Sequence, residues 1–285
     1  MLKTSSASLP EKLGEKLLHS PFTFRYPGRE SLTTNWLLDA KPELRNLYIY
    51  DVCLSTGSMM YSCQGGIGIT KEPYIVEMHK FLKSSAATAA LKSVMAHDFK
   101  GAFTRRRYQA LKEAMNEGEI RSSSLEAKAR LYLLWCGSGF RHRYRGVGYD
   151  ALYHPTQPNY EGVAQASRQS REKNLLFRRE DFSSMAEGII NENVVIYLFI
   201  PTEFGTYGAG FKWDKSRLSS YIRVINEFHT LGHKVCVSAL YERRGLVFRD
   251  YTELFPGFSS IVAPGFKVSE LTSEPDFSEM HLFNF

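Results

Sequence analysis

Acceptors, small-residue turns and arginines set among aromatic rings carry whatever chemistry this chain can do. The β-branched and aromatic run Val194 to Ile200 passes directly into Pro201-Thr202-Glu203, so a carboxylate stands just beyond the end of an apolar strand. A second acid, Asp51, closes the apolar run Leu47-Tyr-Ile-Tyr and precedes the small-residue turn Ser55-Thr-Gly57-Ser58. Arg141-His142-Arg143-Tyr144-Arg145 interleaves cations with aromatic rings beside Phe140 and Tyr149, a pattern suited to phosphate and base-edge contact. Arg105-Arg106-Arg107 has two readings, phosphate contact or the solvated face of a helix. The plain alternative at the tetrapeptide is that Ile200 finishes a buried strand and Glu203 is a solvated loop residue.

Other chemistries find little support. Cys53, Cys63, Cys136 and Cys236 form no close pair, and His79, His97, His142 and His154 fall into no zinc-ligand spacing beside them. Buried reduced thiols and no metal are expected. Gly65-Gly66-Ile67-Gly68 lacks the Lys-Ser or Lys-Thr of a nucleotide loop and reads as a plain turn inside an insertion. Tyr207-Gly208-Ala209-Gly210-Phe211 reads as an aromatic loop, either a lid or an interface. The formal net charge of +6 fits a polyanionic partner without establishing one. No run approaches the roughly 18 apolar residues of a membrane span, and the first residues lack the apolar core of a signal peptide, so a cytosolic protein is expected.

The elements that must hold these residues follow from periodicity. Leu47 to Asp51 reads as a short buried strand, Pro73-Tyr-Ile-Val-Glu77 as a second strand ending on a carboxylate, and Val194 to Ile200 as the clearest strand. Residues 80–129 read as a long helical and polar region, within which the apolar start of a buried helix falls near 125–135, with Ser124 as its cap. Residues 137–160 read as loop or hairpin. Ile222, Ile225, Phe228 and Leu231 recur at helical spacing, and Val235-Cys-Val-Ser238 and Met280-His-Leu-Phe283 close the chain as strands. Strands that are near-continuous apolar runs, alternating with helices, imply an α/β domain with a mainly parallel sheet. The expected division is residues 1–84 and 166–285 as the two parts of that domain, with 85–165 as an inserted helical and basic region.

Taken in order, the motifs resemble those of the DNA adenine-N6 methyltransferases of the Dam type. Phe24-Arg25-Tyr26-Pro27-Gly28-Arg29-Glu30-Ser31 resembles the family's opening Arg-Tyr-Pro-Gly-Gly-Lys-Ser, with Glu30 reversing the charge of the lysine. Asp51 to Ser58 resembles Glu-Pro-Phe-x-Gly-x-Gly-Ser, with Ser55 in place of the first glycine. The segment from Leu131 through Gly139, Phe140 and Arg145 resembles the family's target-recognition stretch, although Asn-Gly-Leu has become Arg141-His142-Arg143. The resemblance implies a Rossmann-like S-adenosylmethionine methyltransferase sheet carrying an inserted target-recognition region. It also implies cofactor contacts from Tyr26, Gly28, Asp51, Gly57, Glu77, Asp181 and Phe182. Of these, Glu77 would take the ribose hydroxyls, Asp181 the adenine amino group and Phe182 the adenine face. DNA contacts would come from Arg105, Arg107, Phe140, Arg141, Arg143 and Arg145.

The family's catalytic tetrapeptide is Asp-Pro-Pro-Tyr, and here it reads Ile200-Pro201-Thr202-Glu203. Methyl transfer to an exocyclic amine needs acceptors for its hydrogens, and the flipped base needs an aromatic platform. Ile200 accepts nothing, and Glu203 puts a carboxylate where the ring belongs. Loss of one such preorganised hydrogen bond removes about 3–4 kcal/mol of transition-state stabilisation. The expectation is therefore a methyltransferase-like protein that has lost methyl transfer and acts on DNA, or within a protein assembly on DNA, by binding. The alternatives are an active S-adenosylmethionine-dependent enzyme of altered geometry, and an interaction subunit whose basic loop meets an acidic protein surface.

Overall fold

Every position from Val195 to Ile200 is buried, as a strand covered on both faces requires, and its side chains divide alternately between two apolar clusters. In the computed structural model the described residues are 33–54, 57–71, 73–97, 129, 160–181, 192–200, 215–243, 246–247, 250–265 and 277–285. In chain order they form α1 (Thr34–Ala40), a 3-10 turn (Pro42–Asn46), β1 (Tyr48–Asp51), α2 (Ser58–Ser62), β2 (Gly65–Thr70), α3 (Pro73–Lys83) and α4 (Ala87–His97). Then follow α5 (Tyr160–Glu172), β3 (Leu176–Arg179), β4 (Val194–Ile200), α6 (Lys215–Thr230), β5 (Lys234–Arg243), β6 (Leu246–Val247), β7 (Ser259–Val262) and β8 (Phe277–Phe283). A second 3-10 turn, Tyr251–Leu254, precedes β7.

The strands make one mixed sheet in the order β3-β2-β1-β4-β5-β8-β7, with β6 on the end of β5. The first five are parallel, whereas β8 runs antiparallel to both β5 and β7. The chain steps outward from β1 to β2 and β3, then returns to place β4 on the other side of β1. That reversal makes the β1/β4 junction the switch point of the sheet, where open α/β sheets bind ligands.

Two stretches differ from their sequence expectations. Gly65 to Gly68 is no turn: it is the first part of β2, an interior strand paired with β1 and continuing to pair with β3. The glycine is required by close approach, since a Cβ on Gly66 would lie 2.1 Å from the Ile49 carbonyl oxygen. Pro73 to Glu77 is no strand: it opens α3, where a proline in the first turn leaves no hydrogen bond unmade. Ile75, Val76, Met78, His79 and Leu82 are the buried side of that helix, a 3.6-residue pattern that the β-branched Ile-Val pair disguises.

One face of the sheet is covered by α1 to α5, with Leu37, Met59, Phe81, Leu91 and Val163 in a single cluster with Val195, Tyr197 and Phe199. Ala87, Leu91 and Ala129, from the region expected as an insertion, belong to this layer. The other face takes α6, whose Leu218, Val224, Ile225 and Phe228 meet Ile196, Leu198, Val235 and Val237 in the second cluster. Each such side chain contributes about 1.5–3 kcal/mol on burial. Gly232, at φ +82°, ends α6, with His233 N–H bonded to the Phe228 carbonyl at 3.0 Å and Gly232 N–H to that of His229 at 3.0 Å. No helix among the described residues is long and apolar enough to cross a membrane.

Candidate functional site at the carboxyl edge of the sheet

At the switch point β1 ends on Asp51, which is fully buried. Its Oδ1 accepts from Cys53 N–H at 3.1 Å, a side-chain turn that bends the chain off the strand, while Val52 N–H still bonds the Tyr197 carbonyl of β4 at 3.0 Å. Gly57 caps the five-residue α2 from the left-handed region, φ +75°. A Cβ there would lie 3.1 Å from His79 Cε1 and 3.1 Å from the Tyr61 ring, so packing beneath the turn demands this glycine as much as its backbone does. Under it lies an aromatic group: Tyr61 Oη is 3.1 Å from His79 Nδ1, and the His79 ring stacks on Phe177 at 4.7 Å between centroids.

Two further ties hold α2. Ser58 Oγ lies 3.3 Å from Thr34 Oγ1 in α1. Behind it, the Lys173 ammonium donates to the Tyr61 carbonyl and, at 2.6 Å, to that of Cys63, satisfying the C-terminal carbonyls of the helix. Burial pulls the pKa of Lys173 below its ordinary value. The Cys63 and Cys236 thiols, both buried, are pushed up to about 12 by burial and are protonated, reduced thiols.

Across the junction, Ile200 is the last residue of β4 and lies opposite Ala239 of β5. It is 1% exposed and belongs to the apolar cluster of Val52, Ile69, Leu218 and Tyr251. The side chain at the end of the central strand is thus core.

Beside β1, strand β2 ends on Thr70 and runs into Lys71, and β3 runs into Glu180 and Asp181. Lys71 and Asp181 form an ion pair across the two strand ends. Glu77, expected at the end of a strand, sits in the second turn of α3 and pairs with Lys80 at 3.2 Å. The residues that follow β2 are thus Lys71 and then the acid Glu72. Tyr50 of β1 has its pKa raised, first by burial and then by the Glu180 carboxylate, with Arg178 opposing.

The structure brings Asp51, Gly57 and Ile200 to the ends of adjacent strands β1 and β4, and Asp181 to the end of β3. Glu77 lies in the second turn of α3, the helix that follows β2. Tyr26, Gly28, Glu30, Ser55, Phe182, Pro201, Thr202, Glu203, Arg105, Arg107, Phe140, Arg141, Arg143 and Arg145 lie outside the described residues. Among the described residues no group of three or more His, Cys, Asp or Glu side chains is placed to hold a metal ion.

A buried polar chain escaped the sequence reading. Ser238 Oγ is 2.8 Å from His281 Nδ1, His281 Nε2 is 2.7 Å from Thr33 Oγ1, and Thr33 Oγ1 donates to Glu279 Oε2 at 2.7 Å. Trp36 stacks on the His281 ring at 5.9 Å. Burial holds the His281 imidazole at about 3, so it is neutral near pH 7. Because the Thr33 proton goes to the carboxylate, Nε2–H is the donor to Thr33 and Nδ1 accepts from Ser238. Glu279 and His281 alternate with Met280 and Leu282, a pattern that reads from sequence as a solvent-facing side.

Asp51 and Gly57, two of the positions at which the resemblance expects cofactor contacts, stand at and just beyond the end of β1. Comparison of the chain with protein-family models and with curated proteins finds no match.

Proposed function

We propose that this chain is a Dam-type methyltransferase-like protein that has lost transfer to adenine N6 and works by binding, with DNA or a protein assembly on DNA as partner. The observation that carries the reading is Ile200: at the end of the strand where the chemistry needs a hydrogen-bond acceptor, an aliphatic side chain is packed into the core at 1% exposure. Without an acceptor the amine lone pair stays conjugated with the ring and is not turned toward a methyl donor. Support for the scaffold comes from the parallel order β3-β2-β1-β4-β5, with Asp51 and Gly57 beside its switch point. These two residues, with Asp181 nearby, favour an adenosine site kept for binding.

The test is incubation of the full chain with methyl-labelled S-adenosylmethionine and an adenine-containing duplex, alongside retention on a DNA column at rising salt. Background incorporation with steeply salt-sensitive retention supports the reading. Sustained incorporation overturns it in favour of an active enzyme of altered geometry, the second reading that Asp51 and Gly57 also allow. Salt-insensitive or absent retention overturns DNA as the partner.

A further inference from the structure

We propose that the free edge of the sheet at β7 is an interface between two copies of this chain, in which the two β7 strands pair antiparallel about a two-fold axis. β7 ends the order β3-β2-β1-β4-β5-β8-β7, and among the described residues no strand pairs with its outer side. The register fixes which main-chain groups face outward. Ala263 N–H bonds the Glu279 carbonyl at 2.8 Å, and bonded positions alternate along an antiparallel pair, so Ser259 and Ile261 also bond inward, to Phe283 and His281. The N–H and C=O groups of Ser260 and Val262 therefore point away from β8. The far side of β8 agrees: Asn284 N–H bonds the Val235 carbonyl, and the same alternation gives Leu282 and Met280 to Val237 and Ala239 of β5.

The two edges of the sheet differ in how they meet another chain. β3, at the opposite end, carries Arg178 and Arg179, and two copies of it would set like charges side by side. β7 reads Ser-Ser-Ile-Val, with no charge or proline to keep another strand from adding to it. Apolar side chains flank it on both faces. Ile261 shares the α1 face with Trp36 and Phe285, all three partly open, whereas Val262, 43% exposed, lies with Ser260 on the α6 face.

A second copy is the occupant because this edge complements itself. With the two-fold axis at Ile261, Ser260 of one chain exchanges both main-chain bonds with Val262 of the other, and Ile261 meets its own counterpart as the close, non-bonded pair of the ladder. On one face each Val262 side chain then lies across from a serine. On the other the two isoleucines join the Trp36 and Phe285 rings into one apolar patch. Lys41, 4.2 Å from the Phe283 ring centroid, lies 3.6 Å from Glu43, so the charge beside this patch is paired. A four-residue strand with these side chains makes an interface smaller than that of a permanent dimer, which sets the expected affinity in the micromolar range.

Sedimentation equilibrium on the full chain from about 1 to about 200 µM tests this, and we expect the average mass to rise from that of one chain to that of two. Val262→Lys, which sets a cation on each side of the seam, and Ser260→Pro, which removes an outward N–H, are each expected to weaken association at least about tenfold. Leu176→Lys, on the β3 edge, is expected to leave it unchanged. Urea midpoints at about 1 µM, where every form is a single chain, are expected to match, so that the loss is one of association and not of fold. A single chain at every concentration overturns the proposal, as does a dimer that Val262→Lys and Ser260→Pro both leave intact or that Leu176→Lys breaks equally. Growth beyond two chains overturns it too, since a closed two-fold seam stops at a pair. Strands β4, β5 and β8 separate this seam from β1, so none of these outcomes bears on methyl transfer.

Discussion

Thr33 and Glu279, 246 positions apart, are joined by a hydroxyl-to-carboxylate hydrogen bond of 2.7 Å, and Thr33 N–H reaches the same oxygen at 3.2 Å. Both residues are buried. We expect Thr33→Val to cost about 2–3 kcal/mol, as removal of a hydrogen bond to a buried charge does, and Thr33→Ser to cost less than about 1 kcal/mol. Urea unfolding of the two variants measures the difference. Equal losses would show that the methyl group, and not the hydroxyl, matters at this position.

His281 links that bond to pH. Burial holds its folded-state pKa at about 3, against about 6.5 for a free imidazole, so the unfolded chain takes up a proton that the folded chain does not. The sign follows: this group leaves stability unchanged above pH 6.5 and lowers it as pH falls from 6.5 toward 3. The slope approaches about 1.4 kcal/mol per pH unit. Unfolding followed from pH 7 to pH 4 should show that slope, and His281→Gln should flatten it. An unchanged slope in the variant would assign the dependence to other groups.

Two glycines separate backbone strain from collision. Gly57→Ala places a Cβ at φ +75° and 3.1 Å from His79 and Tyr61, for an expected loss of about 1–2 kcal/mol from strain with a little more from packing. Gly66→Ala puts its Cβ 2.1 Å from the Ile49 carbonyl oxygen, where backbone must move. We expect the second variant to be much the less stable, with the order read from thermal unfolding. The reverse order would mean that β1 and β2 are not packed this closely.

These glycines also show how far the sequence was legible. Val194 to Ile200 and the Ile222-Ile225-Phe228 stripe of α6 were readable because long apolar or helical periods survive any context. Asp51 at the end of β1 was readable because a single acid follows an apolar run. β2 was not, since Gly65, Gly66 and Gly68 signal turns locally and their true cause is the approach of a neighbouring strand. Pro73 to Glu77 was misread because Tyr-Ile-Val favours strand by composition, while the proline and the buried spacing favour helix. The Lys71–Asp181 pair and the Thr33–Glu279 bond join positions far apart in the chain, and no local pattern announces them.

Ile200 ties the fold to the function. Ile200→Asp would bury a carboxylate in the cluster of Leu218 and Tyr251, and we expect it to lose several kcal/mol of stability, whereas Ile200→Val should lose about 0.5–1.5 kcal/mol. Urea midpoints of both variants check this. An Ile200→Asp protein as stable as the parent would mean that the end of β4 opens to solvent.

Loss of chemistry at the end of β4 is tested most directly by methyl transfer from labelled S-adenosylmethionine to an adenine-containing duplex, run on the parent chain and on Ile200→Asp together. The expected result is background counts for both, because the end of β4 is core and restoring an acid there damages the core. Sustained incorporation by the parent chain would contradict it outright.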